Sequence, residues 1–413
     1  MGRSSDKEAQ FLSTVKDKLI AAGYQAVLES NQQTNPTCDL VAYASGSNGV
    51  AMGTAVEIKL GPNLNIELEA ANLDLARLRA GVPNALLITE TQIFDLEEEG
   101  TTFTLVDQIP RVFPEKSPLA SQEFFRNVLW QIADERRGTM EPGGLLPTLL
   151  DAIEAEVGVI SLPGHQIKVD GAAFREFFSS KAASSRSRDL EGQSSRDTQL
   201  VLSSLASIFP TTASIFDPFF GLGLSSYAAA DSLRGDGGIR NITGIEINPS
   251  IYEKAKKLGK TVKGLRSVDL RLGSSIGQEW PVSDLLLTEP PLGLRLPAPM
   301  SLGGVTVRDF ETYTVLRAAL EICEAESWKA AVILTSRSWL SRDRDQALRD
   351  KLLEIGAVKA ILGLPGIKSN TSIPLAAIVI TRGNSKAIVG ELLEDWREQL
   401  TGEIGGVRDL LIL

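Results

Sequence analysis

The apolar positions of the first hundred residues change between a helical and a strand-like spacing. Phe11, Val15 and Leu19 recur every four residues, which predicts an amphipathic helix. Two apolar stretches separated by Ser-Gly-Ser-Asn-Gly follow, a pattern typical of two strands joined by a turn. The pattern as a whole predicts a small α/β domain. Its predicted elements are a helix to about residue 22, strands at 38–44 and 54–60, a helix at 66–80, and strands at 84–89, 93–96 and 103–106.

From about residue 198 onward, strand-like apolar segments alternate regularly with helical ones. Such alternation predicts a parallel, doubly wound sheet with helices on both faces. Ligands bind these sheets at the carboxyl ends of the strands, so residues that end the predicted strands are candidates for a functional site. The predicted strands are 213–217, 242–247, 268–272, 284–288, 330–335, 358–364 and 375–381, and the predicted helices are 198–209, 224–233, 250–258, 310–324 and 344–355.

Between these two regions the pattern is mainly helical, from about residue 121 to residue 180. The stretch 179–197 is rich in serine and in charged residues. It carries too little apolar surface to form a core, which predicts an interdomain loop. We therefore expect a first domain at 1–115, a helical connector with its Ser-rich loop at 116–197, and a second domain at 198–413.

The composition excludes several classes of protein. The two cysteines, Cys38 and Cys323, lack a Cys-x-x-Cys spacing, which disfavours a disulfide scaffold or a zinc–cysteine site and fits a reducing, cytoplasmic location. There is no run of about 18 apolar residues, so we expect no membrane-spanning helix. The 42 basic and 52 acidic side chains give a net charge of −10. A chain of this charge that grips DNA must gather its basic groups on one face or rely on a partner.

Three signals lie at the ends of predicted strands in the second domain. The first strand ends in Phe-Asp-Pro-Phe-Phe-Gly-Leu-Gly, in which Gly221 and Gly223 let the backbone approach a ligand closely. The third glycine of the dinucleotide-binding fingerprint is absent, which disfavours NAD. Glu246 ends the second strand, where a carboxylate suits the two hydroxyls of a ribose. The fourth strand ends in Thr-Glu-Pro-Pro-Leu-Gly at 288–293, and prolines cannot continue a sheet ladder.

The glycine loop resembles the Asp-Pro-x-x-Gly-x-Gly loop of gamma-class amino-methyltransferases of DNA, and the double proline stands where that family has Asn-Pro-Pro followed by an aromatic residue. The segment from about Ser194 to Arg382 resembles the N6-adenine-specific modification subunits of type I restriction-modification systems. The resemblance implies a Rossmann-like, doubly wound methyltransferase sheet that binds S-adenosyl-L-methionine. By carry-over, the residues that would bind this cofactor are Asp217, Phe219, Gly221, Gly223 and, at its ribose, Glu246.

Methylating the N6 amino group of adenine requires a base turned out of the duplex. In the family, an acceptor side chain and a proline carbonyl take the two amino hydrogens, and an aromatic residue stacks on the base. The resemblance therefore assigns the catalytic positions to Glu289, Pro290 and Pro291. Two departures alter this chemistry, because Glu289 is charged and longer than Asn, and Leu292 offers no π face. Ser274 stands where an acid often contacts the cofactor adenine.

The first domain carries a second constellation. Asp39 lies on one predicted strand and Glu57 and Lys59 on the next, where the two-residue period of a strand puts Glu57 and Lys59 on one face. Two carboxylates can hold Mg²⁺, and a lysine beside them can stabilise charge that develops on a phosphate. With its order of helix, hairpin, helix and strands, the arrangement resembles the PD-(D/E)xK restriction-endonuclease fold of type I restriction subunits. The resemblance implies a smaller, nuclease-like N-terminal α/β domain with metal ligands Asp39 and Glu57 and catalytic Lys59.

Three hypotheses are open at this point. The first is an enzyme of restriction-modification or phage defence, an adenine-specific DNA methyltransferase, an endonuclease, or both. A separate specificity subunit would choose its DNA target, because only about 30 residues follow Arg382. The second is a catalytically degenerate methyltransferase scaffold that binds DNA or a partner, which Glu289 and Leu292 favour. The third is a nuclease whose methyltransferase-like half is only a scaffold. The arginines within 337–349 form either a DNA-facing patch or a solvated helix face.

Overall fold

The structure, a computed structural model, describes residues 2–30, 38–61, 64–97, 102–135, 145–162, 164–182, 194–233, 238–366, 373–383, 386–401, 407 and 411. The contacts within the chain divide it into two compact units, Met1–Phe178 (unit 1) and Ser179–Leu413 (unit 2). The domain boundaries expected at residues 115 and 197 stay predictions. Most of the Ser-rich stretch expected at 179–197 lies outside the described residues.

Unit 1 begins with a helix that is followed by six strands and one further helix. These elements are α1 (Gly2–Ala21), β1 (Ala26–Glu29), β2 (Leu40–Ser45), β3 (Ala51–Lys59), α2 (Ile66–Ala80), β4 (Asn84–Thr89), β5 (Ile93–Leu96) and β6 (Phe103–Val106). The strands form one sheet in chain order, and all neighbours are antiparallel except β3 and β4. A parallel pair needs a crossover connection, which α2 supplies. The predicted order of elements is confirmed, with the four-residue strand β1 added to it.

One face of this sheet packs against α1. Leu19 of α1 is fully buried there, and Val56 and Ile58 of β3 belong to the same core. Because successive side chains of a strand point to opposite faces, Glu57 and Lys59 lie on the other face, as the alternation predicts.

The other face is covered by α2. The side chain of Asn65 caps the helix by accepting a hydrogen bond from Leu68 N at 3.2 Å, and Gly81, with a φ of 68°, ends it in the left-handed region. The residues that α2 buries are Ala70, Leu73, Ala76 and Ala80.

The middle of the chain is less helical than predicted. It contains α3 (Gln122–Glu135), α4 (Leu145–Ala152), β7 (Glu154–Glu156), β8 (Val159–Ser161), β9 (Lys168–Asp170) and α5 (Gly171–Ala182). The three strands form an antiparallel sheet of their own, so the prediction of a helical segment from 121 to 180 is wrong over 154–170. Each strand has three residues, too few to show an alternating pattern, and the first turn depends on Gly158 with a φ of 76°.

Unit 2 alternates strands and helices. Its elements are α6 (Arg196–Ala206), β10 (Ser214–Asp217), α7 (Leu224–Ser232), β11 (Asn241–Glu246), α8 (Pro249–Lys260), β12 (Ser267–Leu272), β13 (Leu285–Thr288), β14 (Arg295–Leu302), β15 (Val305–Asp309), α9 (Phe310–Glu324), β16 (Ala330–Ser336), α10 (Gln346–Glu354), β17 (Val358–Leu364), β18 (Leu375–Thr381), β19 (Ile388–Glu391) and α11 (Trp396–Thr401). Eight of the strands form a Rossmann-like sheet in the order β12-β11-β10-β13-β16-β18-β17-β19. The strand order reverses between β10 and β13, and a crevice opens at such a switch point.

The sheet of unit 2 is mixed, so the prediction of a parallel sheet is wrong for β18. This strand runs antiparallel to both of its neighbours, β16 and β17. The connection from β17 to β18 covers only residues 365–374, which is too short for the helical crossover that a parallel pair needs. The short strand β19 and the antiparallel hairpin of β14 and β15 are further additions to the predicted elements.

The core of unit 2 lies between the sheet and the helices on its faces. Trp328 and Trp339 are buried in it, at 3% and 1% exposure, although both lie near helix and strand ends. Among the described residues, no helix combines the length and the apolar character that crossing a membrane requires.

Candidate functional site

The loop after β10 is shaped by the buried ring of Phe220. Gly221 and Gly223 have φ angles of 54° and 74°, in the left-handed region that glycine adopts without strain. A Cβ atom on Gly223 would come within 2.3 Å of Phe220 Cε1, and one on Gly244 of β11 within 2.2 Å of Phe220 Cδ2. Gly223 is the N-cap residue of α7. The requirement for glycine at positions 223 and 244 is therefore explained by packing alone.

Asp217 ends β10 and is almost fully buried. Its Oδ1 accepts hydrogen bonds from Phe219 N at 3.0 Å and from Thr288 Oγ1 at 2.6 Å. Burial raises the pKa of Asp217 to about 7, although these two hydrogen bonds oppose the shift. This carboxyl therefore exchanges its proton near neutral pH, and Thr288 connects it to the strand end that precedes Glu289.

Glu246 ends β11 and fixes two neighbouring segments. Its Oε2 accepts a hydrogen bond from Gly221 N at 2.9 Å, and its Oε1 accepts one from Asn248 N at 2.7 Å. An ionised carboxylate has about four acceptor positions, so both oxygens keep capacity for a ligand. Glu246 thus positions the glycine loop and the start of α8 while it can still accept from two hydroxyl groups.

Glu289 directly follows β13. Ser194 Oγ donates a hydrogen bond to Glu289 Oε2 at 3.1 Å, and Gln199 Nε2 donates to the carbonyl of Ser194 at 2.9 Å. The segment before α6 therefore contacts the first residue of the Glu-Pro-Pro turn and orients its carboxylate.

The far side of this turn is anchored by Glu311 of α9. Gly293 N donates to Glu311 Oε2 at 3.0 Å, and Ser336 N, at the end of β16, donates to the other carboxylate oxygen. Glu311 is only 1% exposed, and both of its oxygens accept backbone hydrogen bonds. It ties the double-proline turn to the neighbouring strand, a positioning role for which the sequence pattern contains no signal.

These segments surround one cavity at the carboxyl ends of β10, β11 and β13. Its volume is about 820 Å³, and most of its other lining residues are apolar. A smaller cavity of about 50 Å³ is lined by Asp217, Ser225 and Glu289 together with parts of the glycine loop. Gly223 lines neither of the two. The predicted site residues that line the large cavity are Phe219, Gly221, Glu246, Glu289, Pro290 and Pro291.

The structure adds lining residues that the motifs do not name. Phe310, at the start of α9, contacts Phe219 edge to face, with ring centroids 5.7 Å apart. Ile247 is 71% exposed at the cavity, and Ile251 and Ile276 lie there as well. Ile247 follows Glu246 directly, so its place could be inferred from the strand end, whereas Phe310 comes from a helix for which the motifs give no signal.

In unit 1 the structure brings Asp39, Glu57 and Lys59 together. Lys59 Nζ lies 2.7 Å from Glu57 Oε1 and 3.5 Å from Glu69 Oε1 of α2. Asp39 Oδ2 accepts a hydrogen bond from Ile58 N at 2.6 Å, which places this carboxyl next to β3. Glu69 is thus a fourth charged residue of the cluster, contributed by the crossover helix.

The acids of this cluster disfavour each other's ionised form. Burial raises the pKa of Glu57 to about 7, and the neighbouring Asp39 carboxyl adds to this shift, whereas Lys59 opposes it. Burial also raises the pKa of Asp39, against the hydrogen bond from Ile58 N and the charge of Lys59. A divalent cation beside these carboxylates would remove this repulsion.

The donor set permits only some metals. Among the described residues, no group of three or more His, Cys, Asp and Glu side chains is arranged to hold a metal ion. Asp39 and Glu57 offer two carboxylates, which fits Mg²⁺ because this ion keeps several of its waters. The set does not fit a structural zinc site, which needs four protein ligands, or a calcium site with six to eight oxygens.

One stretch of unit 2 is rich in basic side chains. The stretch 251–272, from α8 to β12, begins with Ile251 of the cavity wall. It carries seven basic side chains and two acidic ones in a chain whose net charge is −10. Five of the basic side chains are exposed. The seven are Lys254, Lys256, Lys257, Lys260, Lys263, Arg266 and Arg271.

The arginines of 337–349 make contacts within unit 2. Arg342 and Arg344 both donate to Asp309 Oδ2, at 3.1 Å and 2.9 Å, and Arg349 donates to the carbonyl of Trp339 at 2.8 Å. Arg337 donates to the carbonyl of Leu364 and pairs with a glutamate of β19. These contacts favour a structural role over a DNA-facing patch.

Comparison with known proteins gives similarity only at the level of solved structures. No protein-family model and no curated protein sequence matches the chain significantly. The methyltransferase subunit of a type I restriction-modification system from Streptococcus thermophilus is 18% identical, with a TM-score of 0.46 over 54% of this chain and 51% of that chain. A Listeria monocytogenes protein described as a class I S-adenosylmethionine-dependent methyltransferase is 10% identical, with a TM-score of 0.45 over 59% of this chain and 80% of that chain.

A third structure is a modification subunit assigned to a type I restriction enzyme from Vibrio vulnificus. It is 15% identical, with a TM-score of 0.43 over 55% of this chain and 54% of that chain. The matched region thus spans about half the length of both type I subunits.

Proposed function

We propose that unit 2 binds S-adenosyl-L-methionine and transfers its methyl group to an exocyclic amino group of a DNA base, the N6 of adenine. The observation that carries this proposal is the convergence of the glycine loop, Glu246 and the Glu-Pro-Pro turn on one cavity at the switch point of the sheet. A volume of about 820 Å³ suits a ligand of this size, since small-molecule sites occupy about 300–1,000 Å³.

The lining residues fit the parts of this cofactor. Glu246 can accept from the two ribose hydroxyls without losing its backbone bonds, and the exposed Ile247 offers an apolar surface to a purine ring. Asp217 suits the ammonium of the methionine end. The hydroxyl of Ser225 is buried beside the small cavity and has no hydrogen-bond partner among the described residues, which is expected where a polar ligand group belongs.

The Glu-Pro-Pro turn fits the amino group that accepts the methyl. Glu289 and the carbonyl of Pro290 can take the two amino hydrogens, which frees the nitrogen lone pair for attack. When bound, S-adenosyl-L-methionine supplies an electrophilic methyl group on a positively charged sulfur. Unlike Asn, the carboxylate of Glu289 can also take up the proton that the nitrogen loses. Ser194 and Glu311 position this turn from its two sides.

Glu289→Ala is expected to lower methyl transfer to DNA at least 100-fold while it leaves cofactor affinity within about threefold, because Glu289 contacts the acceptor rather than the ribose. Transfer is measured with tritium-labelled S-adenosylmethionine, and affinity by calorimetry. Glu279→Ala, which changes an exposed acid of the same unit, serves as the control. Undiminished transfer by Glu289→Ala would remove this residue from the chemistry.

A second candidate is a cofactor-binding scaffold without transfer, which Leu292 favours because it cannot stack on a base as an aromatic ring does. The same experiment separates the two functions. Binding of S-adenosylmethionine by the wild-type chain without any label in DNA supports the scaffold, and the absence of binding refutes both.

We also assign to the basic stretch 251–272 the task of holding DNA phosphates. Phosphate neutralisation binds DNA of any sequence, so it does not choose a target. Replacing Lys256, Lys260 and Lys263 together by alanine is expected to weaken DNA binding at least tenfold and to reduce the slope of log K against log salt by about one per lysine. Fluorescence anisotropy with a labelled duplex at several salt concentrations measures both.

The matched control removes three exposed lysines elsewhere, Lys7, Lys116 and Lys386. An equal loss of affinity in the control would reject the assignment to 251–272. Because the net charge of the chain is −10, we expect a partner to contribute part of the DNA binding. We therefore assign the recognition of the DNA sequence to a separate specificity subunit. Tight, sequence-specific binding by the purified chain alone would contradict that assignment.

For unit 1 we propose Mg²⁺-dependent cleavage of DNA. Asp39 and Glu57 would hold the ion, and Lys59, fixed between Glu57 and Glu69, would stabilise the charge that develops on the phosphate. The close placement of two carboxyls with raised pKa values next to a lysine is the observation that supports this proposal.

A further inference from the structure

The wall of the large cavity has two parts of different chemistry. One part comes from the ends of β10 and β11 and from the loop after β12, and it includes Gly221, Glu246 and Ser274. The other part, the acceptor wall, consists of the residues of 289–297 that line the cavity, together with Phe310 at the start of α9. Because the cofactor is assigned to the first part, the acceptor wall is left for the group that receives the methyl.

The acceptor wall is almost entirely apolar. Glu289 provides the one polar side chain of this described part of the cavity, and Leu292, Leu294 and Pro297 provide aliphatic surface. A nucleobase turned out of a duplex presents a polar edge and two flat faces, and its faces bind apolar or aromatic side chains. The acceptor wall therefore suits one unpaired base whose amino edge meets Glu289.

Phe310 provides the aromatic ring of the acceptor wall. Its ring centroid lies 5.7 Å from that of Phe219, and the two ring planes make an angle of 81°. This edge-to-face geometry is one of the favoured arrangements of two aromatic rings, so the contact holds the ring of Phe310 in place before a ligand binds. A ring that is already ordered loses little conformational freedom when a base stacks on it.

The backbone around Phe310 is bound to the segment that follows the Glu-Pro-Pro turn. Phe310 N donates a hydrogen bond to the carbonyl of Leu294 at 3.2 Å, and the next residue, Glu311, accepts one from Gly293 N at 3.0 Å. Phe310 is half-buried and packs against the core of unit 2. These contacts fix the position of the ring relative to the turn that contains Glu289.

We propose that the base that accepts the methyl group stacks on Phe310, which supplies the aromatic surface that Leu292 does not offer. This inference rests on the methyl transfer proposed for unit 2. It assigns the two rings to different ligands, Phe310 to the base and Phe219 to the cofactor. It also removes the argument that Leu292 gives for a scaffold without transfer, because the stacking surface comes from a different segment.

Phe310→Leu, which keeps an apolar side chain and removes the ring, tests the proposal. We expect it to lower kcat/KM for methyl transfer to DNA about 10- to 100-fold, the effect of losing one stack between a base and an aromatic ring. The affinity for S-adenosylmethionine should stay within about threefold of the wild type, since Phe310 does not contact the cofactor in this proposal. Transfer from tritium-labelled S-adenosylmethionine to unmethylated plasmid DNA and calorimetry are the two measurements.

Three further variants separate stacking from a structural role. Phe310→Tyr keeps the ring and should restore kcat/KM to about the wild-type value. Phe113→Leu makes the same change at a phenylalanine of unit 1 that is 80% exposed, and it should transfer at the wild-type rate. Phe219→Leu removes the same ring contact from the cofactor side and should weaken cofactor binding.

Three results would overturn the stacking role of Phe310 while leaving methyl transfer by unit 2 intact. They are undiminished transfer by Phe310→Leu, an equal loss in Phe310→Tyr, and a loss of cofactor affinity in Phe310→Leu that matches the loss in Phe219→Leu. A wild type that transfers no methyl group to DNA has a different consequence, because it refutes the function proposed for unit 2 and this inference with it.

Discussion

Replacing Glu57 by alanine is expected to lower Mg²⁺-dependent nicking of plasmid DNA by the full chain about 100- to 1,000-fold. The change removes one of the two carboxylates that would hold the ion. It also releases Lys59, whose Nζ lies 2.7 Å from Glu57 Oε1, from its position beside them. The loss should exceed that of an ordinary surface acid because Glu57 is largely buried, with 14% of its side chain exposed. The rate of conversion of supercoiled to open-circular DNA is the measurement.

Glu90→Ala, an exposed acid in the turn after β4, is the control for this experiment and should nick at the wild-type rate. Glu69→Ala should have an intermediate effect, since Glu69 contacts Lys59 and would act through it. Its loss should appear in the rate at saturating Mg²⁺ rather than in the Mg²⁺ concentration needed. Nicking that survives Glu57→Ala, or a wild type that does not nick in any Mg²⁺ concentration, removes the nuclease proposal and leaves that for unit 2 intact.

The sequence predicts the parts of both candidate sites that depend on local periodicity. Glu57 and Lys59 share a face because side chains of a strand alternate, and the contact between them follows directly. Asp217 and Glu246 each end a strand of one Rossmann-like sheet and Glu289 directly follows a third strand, so the topology alone brings them to one edge. Strand ends are identifiable from apolar runs followed by glycine or proline, which both motifs of unit 2 contain.

The features that the sequence does not predict depend on contacts between distant segments. Glu311 looks like any acid in the first turn of a helix, and only the fold places it under the double-proline turn and beside β16. The antiparallel direction of β18 follows from the short connection between β17 and β18, and an alternating pattern of strands and helices does not reveal this direction. The sequence predicts that Gly223 binds the cofactor, but the close approach of the Phe220 ring is already sufficient to require glycine at this position. Ser194, on a segment before α6, reaches Glu289 across the fold.

The affinity for S-adenosyl-L-methionine is expected to rise about five- to tenfold between pH 6 and pH 7.5, and Asp217→Asn should abolish this rise. Burial raises the pKa of Asp217 to about 7, so the free protein carries a mostly neutral carboxyl at pH 6. A cationic ligand binds the ionised Asp217 carboxylate better than the neutral carboxyl. Below neutral pH this carboxyl must therefore lose its proton when the ligand binds. At pH 7.5, Asp217→Asn should bind about tenfold more weakly, the loss of one charge-assisted contact. Calorimetry in buffers of different ionisation enthalpy measures the affinity and the protons released.

The effect of Asp217→Asn on the stability of the ligand-free protein shows whether a loss of affinity comes from the lost contact or from a destabilised fold. The pKa of Asp217 lies above its ordinary value of 3.8, so this residue favours the folded state at low pH and loses that contribution as pH rises through about 7. Without ligand at pH 8, Asp217→Asn should therefore be at least as stable as the wild type, since the amide keeps an acceptor for Phe219 N and Thr288 and carries no buried charge.

Asp284→Asn is the matched control. Asp284 directly precedes β13, at the edge of the sheet opposite the cavity, and accepts a hydrogen bond from Ala213 N at 2.8 Å. Its replacement should therefore lower the stability of the fold and leave the pH dependence of binding unchanged. If Asp217→Asn instead kept the wild-type pH profile, the ammonium of the ligand would have to lie away from Asp217.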